Sequence, residues 1–205
     1  YGLLFRATRV CVSLKILMKI LNRKFGTYIC SLVGAILGKY ELVSSFGKFE
    51  GINFLDLFAG SGAVGLEAIS RGATLVDAVE QNLAAAKCCL SNYELVKMSG
   101  AVGKYELHQQ TAKSFLDSID ASHNKKYDII FIDPPYDLEN DYIINLLLQI
   151  LQKNLLKKSG EVIVERDDKW EELNWPTSYE LIKERSYGRG RFFFAQLSAS
   201  ASVSV

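Results

Sequence analysis

Two short segments combine residue types that can bind and position a ligand. Residues 56–65, DLFAGSGAVG, place Gly60, Gly62 and Gly65 at the spacing G-x-G-x-x-G between a predicted strand and a predicted helix. Glycine permits positive φ and lets a ligand approach the backbone closely, and the following helix offers free N–H groups to it. The second segment, Asp133-Pro134-Pro135-Tyr136, follows another predicted strand.

Two acids beside the glycine segment indicate what kind of ligand it would bind. The glycine spacing alone fits both NAD enzymes and S-adenosylmethionine enzymes, and it also fits a turn that needs glycine only for its shape. Asp56 would repel the two negative charges of a pyrophosphate and suits a cationic amine or sulfonium. Glu80 ends the next predicted strand, where a carboxylate can accept hydrogen bonds from two ribose hydroxyls. The two acids therefore favour S-adenosylmethionine.

The Asp-Pro-Pro-Tyr turn has the groups needed to hold a planar base. Prolines stiffen the turn and donate no backbone hydrogen bond, so the Pro134 carbonyl projects as a fixed acceptor. The Asp133 side chain is a second acceptor, and Tyr136 offers a flat face for stacking. Two acceptors beside an aromatic ring match an exocyclic amino group, and a base in a duplex would have to be flipped out to reach them. A rigid loop without a ligand is the alternative.

The apolar pattern predicts the elements that position these segments. Strands that alternate with helices imply a doubly wound, mostly parallel α/β sheet, and a closing pair of strands joined by a short turn must be antiparallel. Strands are predicted at 52–58, 75–80, 105–110, 127–132, 161–165, 179–185 and 191–197. Helices are predicted at 64–70, 83–95, 112–119 and 142–156.

The composition is that of one globular domain. The chain has 205 residues, of which 49% are hydrophobic and 23% are charged. These values exclude a disordered chain, a collagen-like fibre and a disulfide-stapled miniprotein, and no uncharged apolar run is long enough to predict a transmembrane helix. With four cysteines and two histidines, a zinc site is not expected. We expect the cysteines to be buried free thiols of a protein in a reducing compartment.

The charge is distributed unevenly along the chain. Residues 1–40 hold seven basic residues and no acid. The remaining residues therefore have a net charge of −6, although the net charge of the whole chain is +1. A basic arm favours an anionic partner such as nucleic acid, while a leader or a solvated segment without a special role remains open. We expect a basic arm and helix at residues 1–45, one catalytic domain at 46–197 and a disordered tail at 198–205.

Four segments resemble the RsmD-type family of bacterial methyltransferases, which modify a guanine amino group in small-subunit ribosomal RNA. They are residues 56–73, 79–82, 131–136 and 184–194, and the resemblance spans about residues 52–197. It implies the Rossmann-like fold of class I methyltransferases, S-adenosylmethionine as cofactor, and ribosomal RNA or a partly assembled small subunit as partner. It also implies a cytoplasmic monomer without a metal, or an organellar one if residues 1–17 are a leader.

The resemblance assigns roles to individual residues. The catalytic residues would be Asp133, Pro134, Pro135 and Tyr136. The family often has an Asp beside the adenine, whereas the matching triplet here is Gln110-Thr111-Ala112, so the Thr111 hydroxyl or the backbone would contact the adenine. The cofactor would be held by Asp56, Phe58, Gly60, Ser61, Gly62, Glu80, Gln81, Thr111, Ala112 and Asp133.

Departures from the family pattern keep other functions open. The family usually has an Arg-Pro-Thr segment after a basic hairpin, but no proline precedes Pro134 in this chain. A catalytically impaired RNA-binding or assembly protein that retains the fold is therefore one alternative. A DNA adenine amino-methyltransferase is another, because the same turn serves that amino group.

A basic cluster near the C-terminus would either neutralise phosphates or lie solvated on a strand pair: Lys183, Arg185, Arg189 and Arg191.

Overall fold

A seven-stranded sheet forms the centre of the protein. The computed structural model describes residues 49–120, 124–167, 173–187 and 190–199, so the predicted arm at residues 1–45 and all but two residues of the predicted tail lie outside it. Within these ranges no helix is long and apolar enough to cross a membrane. The strands are β1 (Asn53–Asp56), β2 (Leu75–Val79), β3 (Lys104–His108), β4 (Tyr127–Ile132), β5 (Leu156–Asp167), β6 (Tyr179–Tyr187) and β7 (Gly190–Leu197).

The strand order is that of a class I methyltransferase Rossmann-like fold. It runs β3-β2-β1-β4-β5-β7-β6, and the first five of these strands are parallel. β7 pairs antiparallel with both β5 and β6, which confirms the predicted fold class and its closing strand pair. The order reverses between β1 and β4, and ligands bind at such switch points in open α/β sheets.

Helices cover both faces of the sheet because its central strands are apolar on both sides. The helices are α1 (Ala63–Ser70), α2 (Leu83–Met98), α3 (Ala112–Ser118) and α4 (Asn140–Gln152). Helices α1 and α2 pack on the face that holds Phe54 and Phe131, and α3 and α4 pack on the face that holds Leu55 and Ile130.

The fourth predicted helix is too long at its C-terminal end. The sequence predicts a helix over 142–156, but α4 ends at Gln152 and Leu156 already begins β5. Asn154 has a φ of 52°, a left-handed conformation that commonly ends helices. The prediction failed here because Leu155 and Leu156 continue the apolar spacing of the helix, and periodicity alone cannot assign them to a strand.

A buried charged network lies on the face of the sheet covered by α3 and α4. Asp77 of β2 is 1% exposed, and its carboxylate contacts His108 Nε2 at 2.7 Å, the Tyr127 hydroxyl at 3.0 Å and Lys125 Nζ at 3.3 Å. Burial alone would raise the pKa of Asp77, but the hydrogen bond from His108 and the charge of Lys125 hold it below its ordinary value. His108 thus belongs to a hydrogen-bonded network that joins β2, β3 and β4.

Candidate active site

A cavity of about 650 Å³ opens at the carboxyl ends of the parallel strands, beside the switch point between β1 and β4. The structure brings the glycine segment and the Asp-Pro-Pro-Tyr turn together here, although Asp56 and Asp133 are 77 positions apart in the sequence. Of the predicted site residues, all but Gly62 line it: Asp56, Phe58, Gly60, Ser61, Glu80, Gln81, Thr111, Ala112, Asp133, Pro134, Pro135 and Tyr136.

Glu80 fixes the glycine loop as well as facing the cavity. One carboxylate oxygen accepts a 2.7 Å hydrogen bond from Gly60 N–H, and the other accepts a 2.6 Å hydrogen bond from Asn82 N–H. The Glu80 backbone N–H donates to the carbonyl of His108 at 3.1 Å, which ties the end of β2 to the end of β3. A carboxylate has about four acceptor sites, so Glu80 can still accept bonds from two hydroxyls.

Gly60 and Gly62 need glycine for different reasons. Both have positive φ, 56° and 83° respectively. A Cβ on Gly60 would meet no protein atom within 4 Å, so the missing side chain leaves open space at the cavity. A Cβ on Gly62 would lie 2.9 Å from the Tyr105 hydroxyl and 3.3 Å from Cys89 Sγ. Gly62 therefore allows the loop to pack onto the protein interior. It was predicted to contact the cofactor, but it is not among the residues that line the cavity.

Helix α2 holds the other side of the glycine loop. The Cys89 thiol donates to the Gly60 carbonyl at 3.1 Å, and the Asn92 side-chain amide donates to the Ser61 carbonyl at 3.0 Å. Burial raises the pKa of Cys89 to about 12, so this thiol stays protonated and acts as a donor. Cys88 is half-buried, while the remaining two cysteines lie outside the described residues.

The electrostatics of the cavity favour a cationic ligand. The described residues that line it include four charged side chains, and all four are acidic: Asp56, Glu80, Asp133 and Glu165. Asp56 is 1% exposed and accepts a 3.3 Å hydrogen bond from Phe58 N–H. Four carboxylates around one cavity would repel the pyrophosphate of a dinucleotide, which agrees with the expectation drawn from Asp56 in the sequence.

Gln110, Thr111 and Ala112, which follow β3, form the end of the cavity where the adenine is predicted to lie. The Thr111 hydroxyl caps α3, since it accepts from Ser114 N–H at 3.0 Å and donates to Ser114 Oγ at 2.9 Å. Of the two predicted modes of adenine contact, this arrangement favours the backbone over the hydroxyl. Gln109 Nε2 also donates to the Gln81 carbonyl at 3.1 Å and joins this end to the residues after β2.

The Asp-Pro-Pro-Tyr turn forms the opposite, more open end. Pro134 is buried, whereas Tyr136 is 54% exposed at the cavity wall. Arg166 of β5 supports the turn, because its Nη2 donates to the Leu138 carbonyl at 2.7 Å and Leu138 N–H donates to the Pro135 carbonyl at 3.1 Å. Burial lowers the pKa of Arg166 from its ordinary value.

Sequence reasoning missed one charged residue of the site. Glu165 lines the cavity and is 6% exposed, although the sequence pattern predicts it only as the end of a strand. The sequence feature that could have identified Glu165 is an acid directly after the apolar run Val162–Val164, near the carboxyl end of a parallel strand. Tyr142 and Leu138 also line the wall, and no motif pointed to them.

The predicted basic cluster is only partly described. Lys183 Nζ lies 4.2 Å from the centre of the Phe194 ring, and Arg191 Nε donates to Glu184 at 2.8 Å. Arg189 lies outside the described residues. The described members thus lie on the outer strand pair, where phosphate contact stays a prediction.

Comparison with known proteins identifies the family. The sequence profile of the family described as "Conserved hypothetical protein 95" matches residues 37–196, more than three quarters of the chain. The chain belongs to this RsmD-like methyltransferase family. A relative from Haemophilus influenzae, "Ribosomal RNA small subunit methyltransferase D", is 32% identical over 135 residues, 65% of this chain and 66% of the relative. The predicted family is therefore confirmed.

Solved structures show the same fold. A conserved hypothetical protein from Streptococcus pyogenes matches with a TM-score of 0.67 and 27% identity over 78% of this chain and 95% of that one. Magnesium protoporphyrin IX methyltransferase from Synechocystis, solved with bound SAM, matches with a TM-score of 0.64 over 90% of this chain and 91% of that one. At 12% identity the second match establishes the fold alone.

Proposed function

We propose that this methyltransferase transfers the methyl group of S-adenosylmethionine to the exocyclic amino group of a guanine in small-subunit ribosomal RNA. The observation that carries the proposal is that one cavity joins an acidic glycine-loop half to the Asp133-Pro134-Pro135-Tyr136 turn. The RNA substrate is supported by the name of the Haemophilus relative, and guanine is supported by the resemblance to the RsmD-type family.

The glycine-loop half fits S-adenosylmethionine. Open space beside Gly60 accommodates a ligand against the backbone, and the buried Asp56 carboxylate suits the cationic amine of the methionine part. Glu80 would hold the ribose hydroxyls. The adenine would lie against the residues after β3, and the remaining contacts would come from Phe58, Ser61, Gln81, Thr111 and Ala112.

The Asp-Pro-Pro-Tyr turn would orient the base. When bound, S-adenosylmethionine supplies an electrophilic methyl carbon, which bonds to the guanine N2 lone pair as the sulfur–carbon bond breaks and its electrons stay on sulfur. Asp133 and the Pro134 carbonyl would each accept a hydrogen bond from the amino group and align its lone pair, so positioning supplies most of the catalysis. The nitrogen is cationic after transfer and loses one proton easily, so a weak acceptor such as Asp133 or water suffices.

Methyl transfer to defined nucleic acids tests this function. The full chain is incubated with methyl-labelled S-adenosylmethionine and either naked small-subunit ribosomal RNA, partly assembled subunits or duplex DNA. The digested nucleosides are then separated by mass spectrometry. We expect N2-methylguanosine from one of the two RNA substrates. N6-methyladenine in DNA would instead establish the adenine methyltransferase alternative, and RNA binding without any methylation would establish the impaired RNA-binding alternative.

The basic arm at residues 1–45 is proposed to bind RNA phosphates. If it does, RNA affinity falls with salt, because each phosphate that a basic side chain neutralises releases counterions. Deleting residues 1–40 should then flatten the slope of log affinity against log salt by about 0.7–0.9 for each phosphate that the arm neutralises. An unchanged slope would favour the leader interpretation.

A further inference from the structure

Glu165 lies where the cavity extends beyond the methyl-transfer point. Across the sheet, the cavity residues run from Thr111 after β3 through Glu80 after β2 and Asp56 of β1 to Asp133 after β4 and Glu165 of β5. In this order the proposed adenine, ribose and methionine contacts come first, and the turn that orients the amino group comes next. Glu165 is the last member of the row, so it lies on the side of the target base.

The strand register places Glu165 beside Asp133. Ile132 of β4 pairs with Val164 of β5, and Asp133 and Glu165 are the residues that follow this pair. Neighbouring strands are about 4.8 Å apart, so a planar base whose amino group contacts Asp133 also brings the rest of its edge toward Glu165.

Gly190 of β7 has no side chain and so leaves space for the Glu165 carboxylate. A Cβ on Gly190 would lie 2.8 Å from Glu165 Oε1, so any other residue there would displace the carboxylate. Gly190 begins β7, where it pairs with Asp167 of β5, two residues beyond Glu165. The side chain of Glu165 is 6% exposed, and burial of an acid at a cavity wall strengthens its interaction with a polar ligand.

We propose that Glu165 selects guanine by accepting a hydrogen bond from its N1–H, an inference that rests on the proposed function. Guanine has a donor at N1 directly beside the N2 amino group, whereas 2-aminopurine has the same amino group but an acceptor at N1. A carboxylate only accepts, so it bonds the first base and repels the second. Accepting from N1–H also pushes electron density onto N2, which makes the amino nitrogen a better nucleophile.

A change of base preference tests the proposal. The methylated nucleotide is first mapped with the wild-type protein, and ribosomal RNA is then assembled by splinted ligation with guanosine or 2-aminopurine riboside at that position. Single-turnover methylation of both RNAs is measured for the wild type, Glu165→Gln and the control Glu161→Gln on the same strand. The wild type is expected to methylate the guanosine RNA about 5–150-fold faster than the 2-aminopurine RNA. Glutamine can donate to an N1 acceptor, so Glu165→Gln should lose this preference.

Two further measurements keep the result interpretable. S-adenosylmethionine affinity should be unchanged in Glu165→Gln, since the residue contacts the base. Gly190→Ala, which displaces the carboxylate without removing it, should reduce the same preference even if Glu165→Gln does not fold. A preference unchanged in both variants while the wild type still methylates guanosine would overturn the inference and leave the proposed function standing. A wild type that methylates no guanosine would overturn both.

Discussion

The two halves of the cavity are built differently. In the glycine-loop half, Glu80, Cys89 and Asn92 each hydrogen-bond a backbone group of the loop, and Asp56 beneath it is 1% exposed. In the turn half, proline geometry and the Arg166 contact set the backbone, and Tyr136 is 54% exposed. The backbone of the first half is held in place before a ligand binds, which suits a small ligand that binds in one orientation. The second half leaves an aromatic face accessible, as the proposed binding of an RNA base would require.

The largest expected effect comes from breaking the packing behind the loop. Gly62→Ala combines a positive φ with a Cβ 2.9 Å from the Tyr105 hydroxyl, so we expect it to lower the free energy of unfolding by roughly 2–5 kcal/mol. Chemical denaturation measures the loss. Gly100→Ala is the matched control, since Gly100 also has positive φ but a Cβ there meets nothing within 4 Å. Equal losses in the two variants would show that the loop is not tightly packed.

Cofactor affinity sharpens the comparison between the two halves. Asp56→Asn and Glu80→Gln should each weaken S-adenosylmethionine binding by roughly 1–3 kcal/mol, because each removes charged hydrogen bonds. Isothermal titration measures the dissociation constants, with Glu94→Gln on the exposed side of α2 as control. Unchanged affinity in both variants would contradict the assignment of this half to the cofactor.

The turn half should respond to RNA instead. Tyr136→Ala removes the stacking surface and should raise the RNA concentration needed for half-maximal rate, with a loss of about 1–3 kcal/mol per stacked base. Tyr136→Phe keeps the ring and should behave like the wild type. If the RNA requirement does not change in Tyr136→Ala, the exposed ring does not stack on the base.

A further predicted effect lies outside the cavity, in the network around Asp77. The pKa of Asp77 lies below its ordinary value of 3.8, so its ionised form stabilises the fold above that pH, and this contribution is lost as pH falls through the lowered pKa. Asp77→Asn should cost roughly 1–3 kcal/mol near neutral pH and much less in acid. Thermal unfolding from pH 7 to pH 3 measures this, and a variant with the same pH dependence as the wild type would contradict it.

The glycine-loop half could be predicted from the sequence better than the turn half. Gly60, Asp56 and Glu80 are close in sequence and each ends or follows a strand, so local pattern suffices to place them together. Glu165 was missed because Asp133 follows a different strand, and only the pairing of β4 with β5 brings the two together. The end of α4 was missed for a related reason. Leu155 and Leu156 continue its apolar run, and only the tertiary structure assigns Leu156 to a strand.

Single-turnover methyl transfer at saturating S-adenosylmethionine tests most directly the claim that the turn half performs the chemistry. Asp133→Ala removes one acceptor of the amino group but leaves Pro134 and Pro135, so its rate should fall by roughly 100–1,000-fold, as when one preorganised hydrogen-bonding group is removed. Asp137→Ala, an exposed acid in the same turn, should keep the wild-type rate, and so should Glu80→Gln once the cofactor is saturating. A wild-type rate for Asp133→Ala under these conditions would contradict the assignment of catalysis to the Asp-Pro-Pro-Tyr turn.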